Sequence, residues 1–247
     1  MTIPRGDSYL LEGIEMRPAE IEETRKLRIF DGVGEKHLLD MLRPAFLQRF
    51  PAGVELVREG DPADFLHVVV EGKVEVFSAY RDRETTVSVL GPGQCFIMAA
   101  VVLDRVYLKS ARSLTPARIL LLPADVVRRV FSDDAAFARC LASDLAASYR
   151  MLVKELKNQK LRTGLERLAN WLLAHREEMG GANRFELPFE KKVLASRLGM
   201  APEVLSRTFA SLVAYKVKVK GAVIEIGDVP ALTKLARPTA TIDDPAT

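Results

Sequence analysis

Residues Leu194-Ala-Ser-Arg-Leu-Gly-Met-Ala-Pro-Glu-Val-Leu-Ser-Arg207 constrain the fold more than any other stretch, because they read as two short helices joined by a tight turn. Val193, Leu194 and Leu198 recur at helical spacing. Gly199 permits the positive φ that a sharp turn needs, and Pro202 suits the first turn of the following helix. The pattern is that of a helix-turn-helix. Its second helix is expected to show Glu203, Ser206 and Arg207 on one polar face and to turn Val204, Leu205, Thr208 and Leu212 toward the body. A carboxylate accepts from cytosine N4 and a guanidinium forks onto guanine O6 and N7, so this face suits base edges. The alternative is a pair of amphipathic helices packed in some other helical domain.

With 247 residues, 48% of them hydrophobic, the chain is long enough for two domains. No run of 18 apolar residues occurs, and Met1 to Glu23 is polar and acidic, so we expect no membrane span, no signal peptide and a cytoplasmic protein. Cys95 and Cys140 stand in apolar stretches without metal-site spacing and read as core residues. The net charge of +3 hides an asymmetry. Residues 160–237 hold 14 Lys and Arg against 8 Asp and Glu, whereas residues 1–159 are nearly balanced. Positive charge around the helix-turn-helix is what phosphate attraction requires, although such a surface also serves as a solvated face.

Ahead of it, residues to about Gly32 read as an extension and loop, and Glu35 to Leu47 as an amphipathic helix. Short alternating or β-branched runs then follow at 54–57, 66–70, 73–77, 86–90 and 117–122, separated by turn residues such as Gly60-Asp-Pro62 and Gly91-Pro-Gly93. That spacing predicts an antiparallel roll. After Pro123 the pattern turns helical: Ala124 to Phe131, then a long helix capped by Asp133 or Asp134 and running to about Lys157. Leu141, Leu145, Ser148, Leu152 and Leu156 make a narrow stripe on it, expected to join two copies in a homodimer, with packing against its own roll as the alternative. A helix from Leu161 to Ala174 contains Trp171, Phe185 to Leu187 reads as a strand, and 217–219 with 222–226 reads as a wing turning at Lys220-Gly221. The expected class is α+β: sensory roll (1–132), dimerisation helix (133–159), winged helix-turn-helix (160–237) and a disordered tail (238–247).

This order of elements resembles the superfamily of the catabolite activator protein and the fumarate and nitrate reduction regulator, over roughly residues 26–235. The resemblance is carried by Gly60, Gly72 and Gly93 in the roll, by Lys109-Ser-Ala111 where the family's ligand-binding loop ends, and by Glu203, Ser206 and Arg207. It implies a homodimeric, sequence-specific regulator of transcription, more often an activator, that binds double-stranded DNA and recruits or blocks RNA polymerase. Among its branches, the one reading TTGAT-type half-sites is most similar, since it has Glu, Ser and Arg at these positions; Pro202 is also found in the branch of nitric-oxide-responsive regulators. Lys191, Lys192 and Lys220 are the expected phosphate contacts.

The family's cyclic-AMP-binding members carry Gly-Glu and Arg-Ser pairs for ribose and phosphate; here the matching positions read Met98-Ala99 and Lys109-Ser110. A lysine does not reproduce a bidentate clamp, so the expected effector is not cyclic AMP. A small apolar or aromatic molecule, such as a carboxylate, is expected between the wall of Phe96, Met98, Ala99 and Val101 and the long helix near Tyr149, with Lys109, Ser110 and Arg112 as polar partners. No N-terminal cysteines are present to hold an iron–sulfur cluster. Haem-dependent gas sensing is the alternative implied by relatives, with His37, His67 and His175 as the histidines on offer; a third course is regulation without ligand. No catalytic grouping, phosphate-binding glycine loop or metal cluster appears, so an enzyme is not expected; a ligand-responsive subunit that does not bind DNA is the remaining rival.

Overall fold

A computed structural model describes residues 16–81 and 83–244. The chain divides into two units, Met1–Ala147 and Ser148–Thr247.

The first unit opens with α1 (Pro18–Thr24), a 3-10 turn (Arg28–Phe30) and α2 (Glu35–Leu42). Strands β1 (Phe46–Phe50), β2 (Glu55–Val57), β3 (Phe65–Glu71), β4 (Val74–Tyr80), β5 (Arg83–Leu90) and β6 (Cys95–Phe96) follow. Next come α3 (Met98–Leu103), β7 (Ser110–Ser113), β8 (Ala117–Pro123), α4 (Ala124–Asp133) and the start of α5 (Ala135–Leu161). Two four-stranded antiparallel sheets result, ordered β1-β8-β3-β6 and β2-β7-β4-β5. β3 is a nearly continuous apolar run because both of its faces are covered: Leu66, His67, Val68 and Val69 are all buried. Val74 and Val76 of the second sheet join the same core, which α2, α4 and α5 complete with Met41, Leu42, Val127, Val130, Phe137 and Leu141.

Two polar groups hold the helices to this core. Asp134 caps α5, its Oδ1 accepting the N–H groups of Ala136 and Phe137 at 2.9 Å each. Its Oδ2 accepts the Gly34 N–H at 3.1 Å and lies 2.9 Å from His37 Nδ1, which ties the entry of α2 to the same carboxylate. Arg118 on β8 pairs with Glu23 of α1 at 2.8 Å and with Glu71 at 2.6 Å. At the β3–β4 turn Gly72 has φ +84°, and a Cβ there would run into the Pro116 carbonyl oxygen and come within 2.8 Å of Ala117 Cα. Only glycine satisfies both conditions.

The structure corrects several boundaries. The helix expected from Glu35 to Leu47 stops at Leu42, since Pro44 has no N–H to continue it, and Phe46 starts β1 instead. The leading loop contains α1. Strands β1, β6 and β7 and helix α3 lack a clear period of their own. α5 runs on to Leu161, and Asp134 rather than Asp133 is its cap.

The second unit contains the rest of α5, then α6 (Gly164–Glu178), β9 (Arg184–Glu186), α7 (Lys191–Arg197), α8 (Pro202–Ser211) and a 3-10 turn (Leu212–Tyr215). β10 (Val217–Lys220), β11 (Val223–Ile226), α9 (Val229–Ala236) and α10 (Ala240–Asp243) complete it. The helix expected at Leu161 starts later because Thr163 and Glu166 form a capping box: Thr163 N–H donates to Glu166 Oε2 at 2.8 Å and Thr163 Oγ1 accepts the Glu166 N–H at 3.3 Å. The wing has a third strand, in the order β10-β11-β9. Its core gathers Leu168, Leu172, Leu194, Leu205, Phe209, Leu212 and Ile224. The expectation of disorder from Pro238 is corrected at residues 239–244, which form α10 and its flanks and make specific bonds to α5 and Arg162. Among the described residues no helix is long and apolar enough to cross a membrane, and no cluster of three or more His, Cys, Asp or Glu is placed to hold a metal ion.

The roll encloses one histidine. His67 on β3 lies 4.8 Å from the Phe96 ring, 6.4 Å from Tyr107 and 6.5 Å from Phe65, and its Nδ1 has no hydrogen-bond partner among the described residues. Burial holds its pKa down to about 4, so the ring is neutral in the folded protein at pH 7. As pH falls below 6.5 the unfolded chain takes a proton that the folded chain refuses, and stability is lost progressively toward pH 4. His67→Phe removes an unsatisfied polar atom and this proton linkage together. Urea unfolding at about pH 7.5 and about pH 5 is expected to show the variant's acid penalty smaller than wild type's by roughly 1–2 kcal/mol; equal penalties would contradict it. Gly72→Ala should lose at least about 2 kcal/mol in the same assay, from strain and the clash at Pro116.

Candidate nucleic-acid interface and effector site

The helix-turn-helix is built from α7 and α8. α7 ends where Met200 N–H bonds back to the Ala195 carbonyl at 3.0 Å, and Gly199 takes φ +63°. Arg167 of α6 donates from Nε to the Leu198 carbonyl at 2.9 Å, clamping the turn to the domain. Pro202 opens α8, and Leu205 and Phe209 bury its inner face in the core. Pro202, Glu203, Ser206 and Arg207 are exposed, as are Lys191, Lys192 and Lys220. None of their charged groups is held in an ion pair among the described residues. Lys191 is positioned instead by the Phe209 ring, with its Nζ 5.6 Å from the centroid, an anchor that the i, i+4 spacing of Leu205 and Phe209 makes readable. Val204, expected to face the body, is 37% exposed, and the inward face of α8 is carried by Leu205 and Phe209 instead.

The expected dimer stripe divides. Leu141 is fully buried in the core of its own unit and Leu145 packs against the same core, which removes Leu141 from any seam. Further along α5, Ser148, Leu152 and Leu156 are exposed, together with Tyr149 and Val153. Leu152 is 53% and Leu156 58% exposed, so an apolar face at i, i+3, i+4 and i+7 stands without a partner in the single chain.

The expected effector wall also divides. Phe96, Met98 and Val101 are core residues of the roll, whereas Ala99 is exposed. The apolar run is mainly packing: α3 starts at a left-handed Ile97 and turns Met98, Ala100 and Val101 inward. Arg112 is taken, its Nε donating to Glu75 at 2.8 Å and its Nη2 to Glu84 at 2.6 Å, with the guanidinium 4.3 Å over the Phe77 ring. Glu75 itself is buried, and Thr86 donates to its other oxygen at 2.5 Å. Ser110 Oγ accepts the Glu59 N–H at 2.9 Å and so serves the roll. Lys109 differs from both. It is half-buried, desolvation lowers its pKa, and no carboxylate pairs with it among the described residues. Tyr149 lies on an exposed part of α5 that belongs to the second unit.

His67 is closed in by three rings, His37 is drawn to Asp134, and His175 is stacked 5.2 Å from Trp171 with its Nδ1 2.9 Å from Glu178. The cysteine thiols are pushed up by burial, away from the thiolate form a metal takes.

Comparison with known proteins agrees with this architecture. The family model for the cyclic nucleotide-binding domain matches residues 47–134, and that for the Crp-like helix-turn-helix domain matches residues 166–235. A CRP-like cAMP-activated global transcriptional regulator of Mycobacterium tuberculosis is 24% identical over 216 residues, 85% of this chain and 96% of the relative. Among solved structures, FixK2 of Bradyrhizobium japonicum superposes with TM-score 0.69 at 21% identity, covering 79% of this chain and 99% of that one. A chain of Silicibacter pomeroyi DSS-3, proposed to be a cAMP-binding regulatory protein, is 28% identical with TM-score 0.57, covering 88% and 100%. With a roll and a Crp-like helix-turn-helix in the order the family requires, the chain belongs to the superfamily of the catabolite activator protein and the fumarate and nitrate reduction regulator, and is a DNA-binding transcriptional regulator of that family.

Proposed function

We propose that the protein works as a homodimer which reads a TTGAT-like palindrome through Glu203, Ser206 and Arg207 and activates transcription through contact with RNA polymerase. The observation that carries this is the outer face of α8: three base-reading side chain types, exposed and outside any ion pair among the described residues, on a helix whose inner face is locked by Leu205 and Phe209. Lys191, Lys192 and Lys220 then serve the phosphates. The apolar face of Tyr149, Leu152, Val153 and Leu156 is the dimer seam, and it spaces two recognition helices for half-sites about 34 Å apart.

The effector in this reading is a small anion other than cyclic AMP. Support comes from Lys109, a desolvated cation without a carboxylate partner among the described residues, and from Met98 and Ala99, neither of which offers an acceptor to a ribose. The roll (1–132) senses, the helix (133–159) couples two copies, and the winged domain (160–237) binds. Binding shifts the population toward the dimer geometry that matches both half-sites.

A mobility-shift titration across a salt series tests this. Arg207→Ala should lose about 1–3 kcal/mol on the palindrome and little on random DNA, whereas Lys191→Ala should weaken both alike. Saturating cyclic AMP should leave the wild-type curve in place; a tenfold tightening would refute the effector assignment. Leu152→Glu puts a carboxylate into the seam twice per dimer and should give a monomer by sedimentation at micromolar concentration. A Leu152→Glu dimer would show that the exposed face lies outside the interface.

A further inference from the structure

The last turns of α5 are gripped from two directions within the second unit. On one side Gln159 Nε2 donates to the Arg197 carbonyl at 3.4 Å, with Glu155 Oε1 accepting from the same amide at 2.8 Å, so α5 is hooked to the turn of the helix-turn-helix. On another side stand residues 239–244. Lys154 Nζ donates to the Asp244 carbonyl at 2.6 Å, and Lys157 Nζ donates to Thr241 Oγ1 at 2.8 Å and to its carbonyl at 3.3 Å. An advance of about 100° per residue puts Lys154 on the side of α5 away from Leu152 and Leu156, and Lys157, four residues after Val153, at the edge of the apolar face; Leu152 and Leu156 themselves stay 53% and 58% exposed.

The strongest of these bonds falls on the joint itself. Arg162 and Thr163 alone separate α5 from α6. The Arg162 side chain is only 8% exposed, and its guanidinium forks onto Asp243 at 2.7 and 2.5 Å while also reaching Asn158 at 3.2 Å. The Arg162 carbonyl accepts from Arg167 Nη1 at 2.7 Å. Asp243 is aimed by its own turn, since its Oδ2 also accepts the Thr239 N–H at 2.6 Å. Without this carboxylate the joint would hold a buried guanidinium that no other carboxylate among the described residues pairs with directly, which is costly in a packed structure.

We propose that residues 239–244 are a strap across the α5–α6 joint, whose grip on Arg162 keeps the recognition helix in a fixed direction relative to the end of α5. The strap therefore governs how well the dimer distinguishes a correctly spaced palindrome from a lone half-site, with no contact to the bases. This rests on the reading of α5 as dimer seam and α8 as reader given above. Two half-sites bound by one rigid dimer multiply their affinities through a high effective concentration, and a loose joint loses that gain while each half-site is still read.

The test uses the full chain with Asp243→Asn, a deletion of residues 238–247, and the exchanged pair Arg162→Asp with Asp243→Arg. Binding is measured to the palindrome, to the palindrome with one added central base pair, and to a single half-site. Asp243→Asn and the deletion should weaken the palindrome about tenfold, leave the half-site within about twofold, and shrink the penalty for the added base pair. Amide exchange over residues 158–164 should speed up in both variants and be slowed again in the exchanged pair. An unchanged ratio of palindrome to half-site binding together with unchanged exchange in Asp243→Asn would overturn the strap, as would equal loss on both DNAs. If the deletion or the exchanged pair unfolds, Asp243→Asn alone decides. A wild-type protein that does not prefer the palindrome over random DNA would instead overturn the functional reading, and exchange over 158–164 then decides the strap.

Discussion

Asp134 determines where the long helix begins, and much of the first unit follows from it. Its carboxylate accepts two N–H groups of the first turn of α5, the Gly34 N–H and a contact from His37, and these donors hold its pKa well below the usual carboxylate range, the Phe137 N–H most of all. A helix started at that residue puts Phe137 and Leu141 into the roll core and leaves Leu152 and Leu156 outside it. Moving the start by one residue would rotate the whole helix by about 100° and exchange buried for exposed positions along its length. The cap therefore sets which α5 residues close the core and which remain exposed.

A second regularity concerns the cations. Arg112, Arg118, Arg162 and Arg167 are each engaged by carboxylates or carbonyl oxygens at joints between elements. Each uses the planar fork of arginine to satisfy two or more acceptors at once. Lys191, Lys192, Arg207 and Lys220, by contrast, stand exposed on the helix-turn-helix and wing, and Lys109 is half-buried. The division separates groups committed to holding the fold from groups left outside any ion pair among the described residues, and residue type alone does not reveal it: Arg112 and Arg207 look equally suitable in a list.

Local features were readable. Gly199 and Pro202 bracket a turn by backbone stereochemistry and the wing turns at Gly221, whereas the capping box of Thr163 and Glu166, local as its spacing is, lies inside the stretch where the helix was expected to have begun already at Leu161. Sheet β2-β7-β4-β5 was only partly readable, because β7 (Ser-Ala-Arg-Ser) has no apolar alternation and is a strand through its pairing with β2 and β4. Residues 239–244 misled for a similar reason. Their composition is that of a tail, yet Asp243 meets a buried arginine 81 residues away, a contact with no local signal.

The sequence by itself determined the order of modules, the helix-turn-helix and the exposed polar residues Glu203, Ser206 and Arg207 of its second helix, since these depend on periods and stereochemistry spanning a few residues. Only the tertiary structure decided that Phe96, Met98 and Val101 are core, that Arg112 is committed to Glu75 and Glu84, that Leu141 belongs to the roll and that Arg162 is strapped to Asp243. The physical reason is common to all four. Burial and charge pairing are properties of what stands opposite a side chain, and the opposite group is supplied by an element distant in sequence.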